Sequence, residues 1–285
     1  MNVLVTGAAG QLGNALRLMA PDFIYSDITG ENNVRLDITD QAAVNAFVES
    51  NSIDTIINCA AFTDVEAAED NYDKAELLNA KAVEYLALAM KSRGGLLVHV
   101  STDYVFGGDV YDAPIQENCK PNPTGVYGLT KLHGEEAILN SGVRHIIFRT
   151  AWLYSPWGRN FVKTMLRLTA ERPVLTVVND QTGSPTYAPD LAAAILAAIE
   201  CGCEGIFNYT NEGQCTWYQF AVEIARLAGN TACEIRPCLS SEYPSKVRRP
   251  LFSVLDKTLV KETLEIGIPQ WEDSLKECLV SISKS

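Results

Sequence analysis

Short apolar runs alternate with amphipathic stretches through about the first two hundred residues of the chain. The runs at Asn2–Thr6, Phe23–Ser26, Val34–Leu36, Asp54–Cys59, Leu96–Ser101 and Arg144–Arg149 read as strands. Several are apolar at consecutive positions, as strands covered on both faces must be. Ile206–Tyr209 is a candidate for a later addition. Between the runs, Gln11–Met19, Gln41–Glu49, Ala75–Arg93 and Tyr127–Asn140 carry helical patterns. Strand–helix–strand alternation with right-handed crossovers predicts an α/β fold built on a doubly wound parallel sheet of Rossmann type. After about Thr150 the pattern loosens, and Pro173, Pro185, Pro189, Pro237, Pro244, Pro250 and Pro269 punctuate shorter elements. No Gly/Ser linker separates the two parts, so the second is expected to pack onto the sheet as a lid.

Composition agrees with a packed chain and narrows its partners. The chain has 285 residues, 47% of them hydrophobic, enough for one large core or two packed domains. A net charge of −12 argues against binding nucleic acid or an anionic membrane, both of which need clustered Lys and Arg. No apolar run approaches the ~20 residues of a membrane span, and the N-terminus opens directly on a strand pattern, so a cytoplasmic location is expected. The eight cysteines include no CxxC pair and the three histidines sit in no ligand-spaced motif, so no metal is expected and the thiols read as reduced.

Gly7-Ala8-Ala9-Gly10-Gln11-Leu12-Gly13 follows the first strand and opens the first helix. Gly7 permits a tight turn, Gly10 a close approach to a pyrophosphate, and Gly13 close helix–strand packing. The helix N-terminus then offers N–H groups to phosphates. Asp27, 20 residues after Gly7, ends the second strand where a carboxylate would accept from ribose hydroxyls and repel a 2′-phosphate. NADPH or NADH is therefore the expected cofactor, with Asp27 leaning to NADH. Asp37 ends the third strand, where it could reach an adenine or cap the helix that begins near Asp40.

A second constellation carries acid–base chemistry. Tyr127 and Lys131 are four apart, so on a helix they share one face. A tyrosine ordinarily titrates near pH 10; a neighbouring ammonium would bring its proton within working range. Thr102 lies in Ser101-Thr102-Asp103-Tyr104-Val105-Phe106, at the carboxyl end of a strand, where open α/β sheets bind ligands. Thr102, Tyr127 and Lys131 are thus the candidate catalytic set.

On these residues the chain resembles the extended short-chain dehydrogenase/reductases, and within them the dTDP-4-dehydrorhamnose reductase family. The likeness runs almost the whole length, through Asn58–Glu66, Leu78–Ala80, Ser101–Phe106, Tyr127–Lys131, Phe148–Tyr154, Asn160-Phe161, Asn179–Gln181, Arg249-Pro250 and Pro269–Glu272. It implies NAD(P)H-dependent reduction of the C4 ketone of dTDP-4-dehydro-L-rhamnose to dTDP-L-rhamnose. It implies that Gly10, Gln11 and Leu12 lie on the pyrophosphate, Asp37 and Ile38 near the adenine, and Ala60, Ala61 and Thr63 along the cofactor. Thr102, Asp103 and Trp152 would contact the sugar, and Lys131 the nicotinamide ribose. Arg249 is a candidate for the substrate diphosphate, with Arg248, Arg159, Lys163 and Arg167 beside it. The expected division is a cofactor-binding core over residues 1–150 and a mostly substrate-binding region over 151–285, from which a strand near 206–209 is a candidate to rejoin the core sheet.

The resemblance also frames the partners and rivals. The expected partner is a small nucleotide sugar. Some relatives dimerise through magnesium held by glutamates; here Tyr187-Ala188-Pro189-Asp190-Leu191 lacks one such glutamate although Glu272 fits the other position, so a homodimer is open but a metal-bridged one is not expected. A dehydratase on this scaffold would carry Asp-Glu after the threonine, whereas Asp103 is followed by Tyr104. Another nucleotide-sugar reductase or epimerase on the same scaffold, or a non-catalytic protein like the regulatory subunit of methionine adenosyltransferase, is the alternative.

Overall fold

The computed structural model describes residues 1–30 and 32–284; Glu31 and Ser285 lie outside the described residues. β1 (Val3–Thr6), β2 (Ile24–Asp27), β3 (Val34–Arg35), β4 (Thr55–Asn58), β5 (Leu96–Thr102) and β6 (Arg144–Thr150) join the strand Gly205–Asn208 in one seven-stranded sheet. Its order is Gly205–Asn208, β6, β5, β4, β1, β2, β3, and every neighbouring pair is parallel. The order reverses between β1 and β4, so the crevice for a ligand opens at their carboxyl ends.

Strand pleat sorts the side chains onto two cores. Val3, Val5, Ile57, Val98, Ile146 and Phe148 face Leu12 and Leu16 of α1 (Gln11–Met19) and Leu191 and Ile195 of the helix Ala188–Cys201. Leu4, Ile56, Leu97 and Ile147 face the opposite layer, with Val44 and Val48 of α2 (Gln41–Ser50), Val83 and Leu86 of the helix Ala82–Arg93, and Ile138. The strands therefore bury both faces, as their unbroken apolar runs require. A third core, built on Tyr154, Phe220, Trp271 and Leu275, lies under the C-terminal elements.

The stretch expected as one helix over Ala75–Arg93 is interrupted. It runs as a helix Tyr72–Glu76, a π-helical turn Leu77–Lys81 and a helix Ala82–Arg93. The wide turn buries Asn79 completely. Its Oδ1 accepts from the Phe62 N–H at 2.7 Å, and its amide nitrogen donates to the Phe62 carbonyl and to Thr130 Oγ1 at 3.2 and 3.0 Å. One inserted residue thus ties the loop after β4 to the helix carrying Tyr127, a use of π-turns that recurs at functional sites.

Candidate active site

The glycine-rich loop is shaped by contacts that no side chain would survive. A Cβ on Gly7, whose φ is +68°, would lie 2.5 Å from the Ala60 nitrogen, and one on Gly13 would lie 2.5 Å from Ala8 Cα. Gly10 caps α1 without any side-chain hydrogen bond, leaving the N-terminus open to an anion. Gln11 presents only its backbone to that space. Its side chain turns inward, accepting from Ser155 Oγ and Asn160 Nδ2, both at 2.9 Å, and donating to the Leu153 carbonyl at 3.3 Å. Leu12 is likewise buried in the core. These features fit a dinucleotide pyrophosphate.

Asp27 sits at the end of β2 and steadies the same loop, accepting from the Ala9 N–H at 3.0 Å and from the N–H and hydroxyl of Thr29. Asp37 accepts from the N–H and hydroxyl of Thr39, which hold its carboxyl below the usual range despite burial pulling the other way. Asp40, rather than Asp37, caps α2 through Ala42 and Ala43. Ile38 is buried, Ala60 and Ala61 are half-buried, and Thr63 is exposed at the loop after β4.

Thr102, at the end of β5, accepts from the Tyr104 N–H at 3.2 Å and donates to Asp103 Oδ1 at 3.1 Å. Its side chain also lies close enough to the Tyr127 phenol to oppose the rise that burial causes there. The Tyr127 ring packs edge-on against Tyr104, 5.5 Å between centroids. This contact depends on Gly128, because a Cβ there would run into the Tyr104 carbonyl. Burial first, then the Asp103 and Tyr104 charges, raise the Tyr127 phenol well above its ordinary value, while Thr102 opposes them. Asp103 is 2% exposed, and burial pushes its carboxyl up to about 6 against hydrogen bonds from Ser253 and Thr102.

Lys131 shares the helix Val126–Ser141 with Tyr127, and its side chain ends on His99 and Val100 of β5. Nζ is 2.6 Å from the Val100 carbonyl and 3.0 Å from His99 Nε2, and burial lowers it to about 8. The groups that act on the Tyr127 phenol here are Thr102, Asp103 and Tyr104.

A cleft of about 790 Å³ opens next to this set, lined among others by Phe161, Gln181, Trp217, Lys246, Arg248 and Arg249. Thr102 and Tyr127 do not themselves line it; Arg249, in its wall, lowers the Tyr104 phenol against burial and reaches Glu66 at 3.4 Å. Ser245 and the Lys246 N–H also bind Glu66, so the cleft's outer wall is strapped to the helix Val65–Asp70. Trp152 adopts φ +51°, a conformation costing a non-glycine residue on the order of 1–2 kcal/mol. It lies flat on Trp217, 3.5 Å between centroids and 12° between planes, with the bare face of Gly183 beneath it. Of the other cations, Arg167 pairs with Glu171 and Lys163 donates to the Pro156 carbonyl.

The whole arrangement was compared with known proteins. The profile of the family described as "RmlD substrate binding domain" matches residues 1–283. The chain belongs to this family. It is 38% identical to a dTDP-4-dehydrorhamnose reductase of Salmonella typhimurium, covering 99% of this chain and 98% of that one. It is also 38% identical to a probable dTDP-4,6-dihydroxy-2-methyloxan-3-one 4-ketoreductase of Streptomyces antibioticus, over 99% and 96% of the two chains. A crystal structure of dTDP-4-dehydrorhamnose reductase from Bacillus anthracis in complex with NADP superposes with a TM-score of 0.91 at 34% identity, over 99% of this chain and 100% of that one. Family membership makes the chain an oxidoreductase on a Rossmann-type fold that uses a nicotinamide cofactor.

In Tyr187–Leu191, one of the two places considered for a metal bridge, the carboxylate present is held within the chain. Asp190 accepts from Asn211 Nδ2 at 2.6 Å and Ser274 Oγ at 2.5 Å, an intrachain network. Among the described residues no three His, Cys, Asp or Glu side chains are grouped to hold a metal ion. Nor, among them, is any helix long and apolar enough to cross a membrane. Lys246, Trp217, Tyr104, Asn79 and His99 carry the site's geometry without having been singled out from the sequence as site residues. Asn79 and Tyr104 lie within the sequence motifs; the others have no local signal.

Proposed function

We propose that the chain reduces the C4 ketone of dTDP-4-dehydro-L-rhamnose, using NADPH or NADH, to give dTDP-L-rhamnose. The observation that carries this reading is Thr102 and Tyr127 brought together beside a cleft with Lys246, Arg248 and Arg249 in its wall. The cofactor, bound over the Gly7–Gly13 loop, supplies a hydride to C4. Tyr127 gives its phenolic proton to the carbonyl oxygen as charge develops there, and Thr102 holds that oxygen in place. Asp103 and Trp152 bound the sugar, and the cleft cations hold the diphosphate. Burial keeps the phenol protonated in the ligand-free site, and giving up that proton near neutral pH calls for a nearby cation to lower it, the part this reading gives to Lys131.

Asp27 keeps a carboxylate where the adenosine ribose would lie, which favours NADH, although the Bacillus anthracis relative was solved with NADP. The Streptomyces relative, equally similar, supports a second reading in which another dTDP-4-keto sugar is the substrate. Oxidation of NADH and of NADPH, followed by absorbance with dTDP-4-dehydro-L-rhamnose made in situ, tests both points. Sugar-dependent oxidation supports the reading and ranks the coenzymes. Bound cofactor with no oxidation would reject this substrate.

A further inference from the structure

Four side chains that are each no more than 1% exposed form a row from β1 to the Tyr127 helix: Thr6, Asn58, His99 and Lys131. Asn58 Oδ1 accepts from Thr6 Oγ1 at 2.7 Å and from the Ala60 N–H at 3.1 Å. A backbone N–H can only donate, so it fixes which end of the Asn58 amide is oxygen. The amide nitrogen then faces His99 Nδ1 at 3.1 Å, and it too can only donate. His99 Nδ1 is therefore an acceptor, and the proton of the neutral ring sits on Nε2. That Nε2–H is aimed at Lys131 Nζ, 3.0 Å away. An ammonium has no lone pair and would meet this proton donor to donor. A neutral amine accepts it and still donates to the Val100 carbonyl at 2.6 Å.

We propose that His99 is a positioning residue that, in the ligand-free protein, holds Lys131 as a neutral amine drawn onto the Val100 carbonyl. The inference rests on the reading of Tyr127 and Lys131 as proton donor and tuning cation. The groups facing Nζ agree with it. Burial brings the amine down to about 8 against Glu135 and Cys59, which favour the charged form, and a donor pointed at the same nitrogen works in the direction of burial. Burial, then Lys131, keeps His99 well below its ordinary value and so uncharged. Cys59, at the end of β4, is raised to about 12 by burial and is a neutral thiol. Glu135, one turn along the helix, favours the ammonium but is itself taken up by Arg149 and Ser101. Tyr127, one turn earlier, is protonated. Lys131 becomes a cation able to tune Tyr127 only when something offers its nitrogen an acceptor in place of His99.

The test is 15N and 13C NMR of the full, ligand-free chain labelled at histidine and lysine, comparing wild type with Asn58→Asp. The aspartate keeps the acceptors for Thr6 and Ala60 but accepts where the amide donated, so the His99 proton moves to Nδ1 and Nε2 becomes an acceptor. Wild type should show the Nε2–H tautomer and a Lys131 titration below 8. Asn58→Asp should show Nδ1–H and a midpoint raised by about one unit or more. The wild-type tautomer decides even if the variant does not fold: Nδ1–H, or an imidazolium at neutral pH, overturns the inference. Turnover of the keto sugar together with the wrong tautomer would overturn it while leaving the reductase reading intact. The Nε2–H tautomer in a protein that reduces no keto sugar would uphold the network and overturn the reductase reading instead.

Discussion

Glu135 and Arg149 form a buried ion pair behind the candidate catalytic helix, with side chains 1% and 3% exposed. Glu135 Oε2 accepts from Arg149 Nη2 at 2.6 Å and Oε1 from Nε at 3.0 Å, while Ser101 donates to Oε1 and Arg149 Nη1 reaches the Glu117 carbonyl at 2.9 Å. Glu135→Gln keeps the shape and removes the charge, leaving a guanidinium in a site from which water is excluded. Breaking such a pair costs about 3–5 kcal/mol, most of it the uncompensated charge. At about 2–4 °C per kcal/mol for a chain near this size, the midpoint of thermal unfolding should fall by roughly 6–20 °C. Urea unfolding at pH 7 measures the loss directly. The double variant Glu135→Leu/Arg149→Met, which removes both charges, should recover part of it. The recovery is partial because Ser101 and the Glu117 carbonyl lose partners, at about 1–3 kcal/mol for each buried group left unmade. A loss below about 1 kcal/mol in Glu135→Gln, or a double variant worse than the single one, would refute the account of a desolvated pair.

Tyr127→Phe should lower kcat by about 10²–10⁴-fold, with cofactor affinity by fluorescence titration unchanged within a few fold; near-normal turnover removes the phenol from the mechanism. Asp103 links stability to pH. Its folded-state pKa, raised to about 6, means the folded protein holds a proton that the unfolded chain releases from about 4 upward, so wild type loses stability as pH rises through that window. Relative to Asp103→Asn, the loss should reach on the order of 3 kcal/mol by pH 7, and a difference flat from pH 4 to 7 contradicts the burial argument. Gly128→Ala forces a methyl onto the Tyr104 carbonyl, and should cost about 1–3 kcal/mol together with most of the activity, read by urea unfolding and turnover. Trp217→Ala removes the ring on which Trp152 lies, and steady-state kinetics should show the sugar KM rising more than kcat falls.

Much of the fold was legible because it follows from burial on two faces. α1 spans Gln11–Met19 as its pattern indicates, and the core strands fall within a residue or two of their apolar runs. The break at Leu77–Lys81 was not legible, since the apolar spacing continues through it and only the partner loop explains why Asn79 must turn inward. Trp152 reads as an ordinary aromatic; its left-handed backbone goes with a ring packed on Gly183 and Trp217, far away in sequence. The four-residue spacing of Tyr127 and Lys131 placed them on one helix, but spacing cannot say where a long side chain ends. His99, between Val98 and Val100 in β5, meets the lysine nitrogen at 3.0 Å, and the separation of 32 residues hides that partnership from any local motif.

Gln11 stands at the mouth of the cofactor loop, yet its amide is bound wholly to Leu153, Ser155 and Asn160. The loop that meets one ligand and the segment that follows Trp152 are therefore braced by a single side chain. Anything that stiffens the first stiffens the second, and binding free energies are coupled equally in both directions. Whichever ligand binds first leaves less motion for the other to quench, and the bracing favours neither order of arrival.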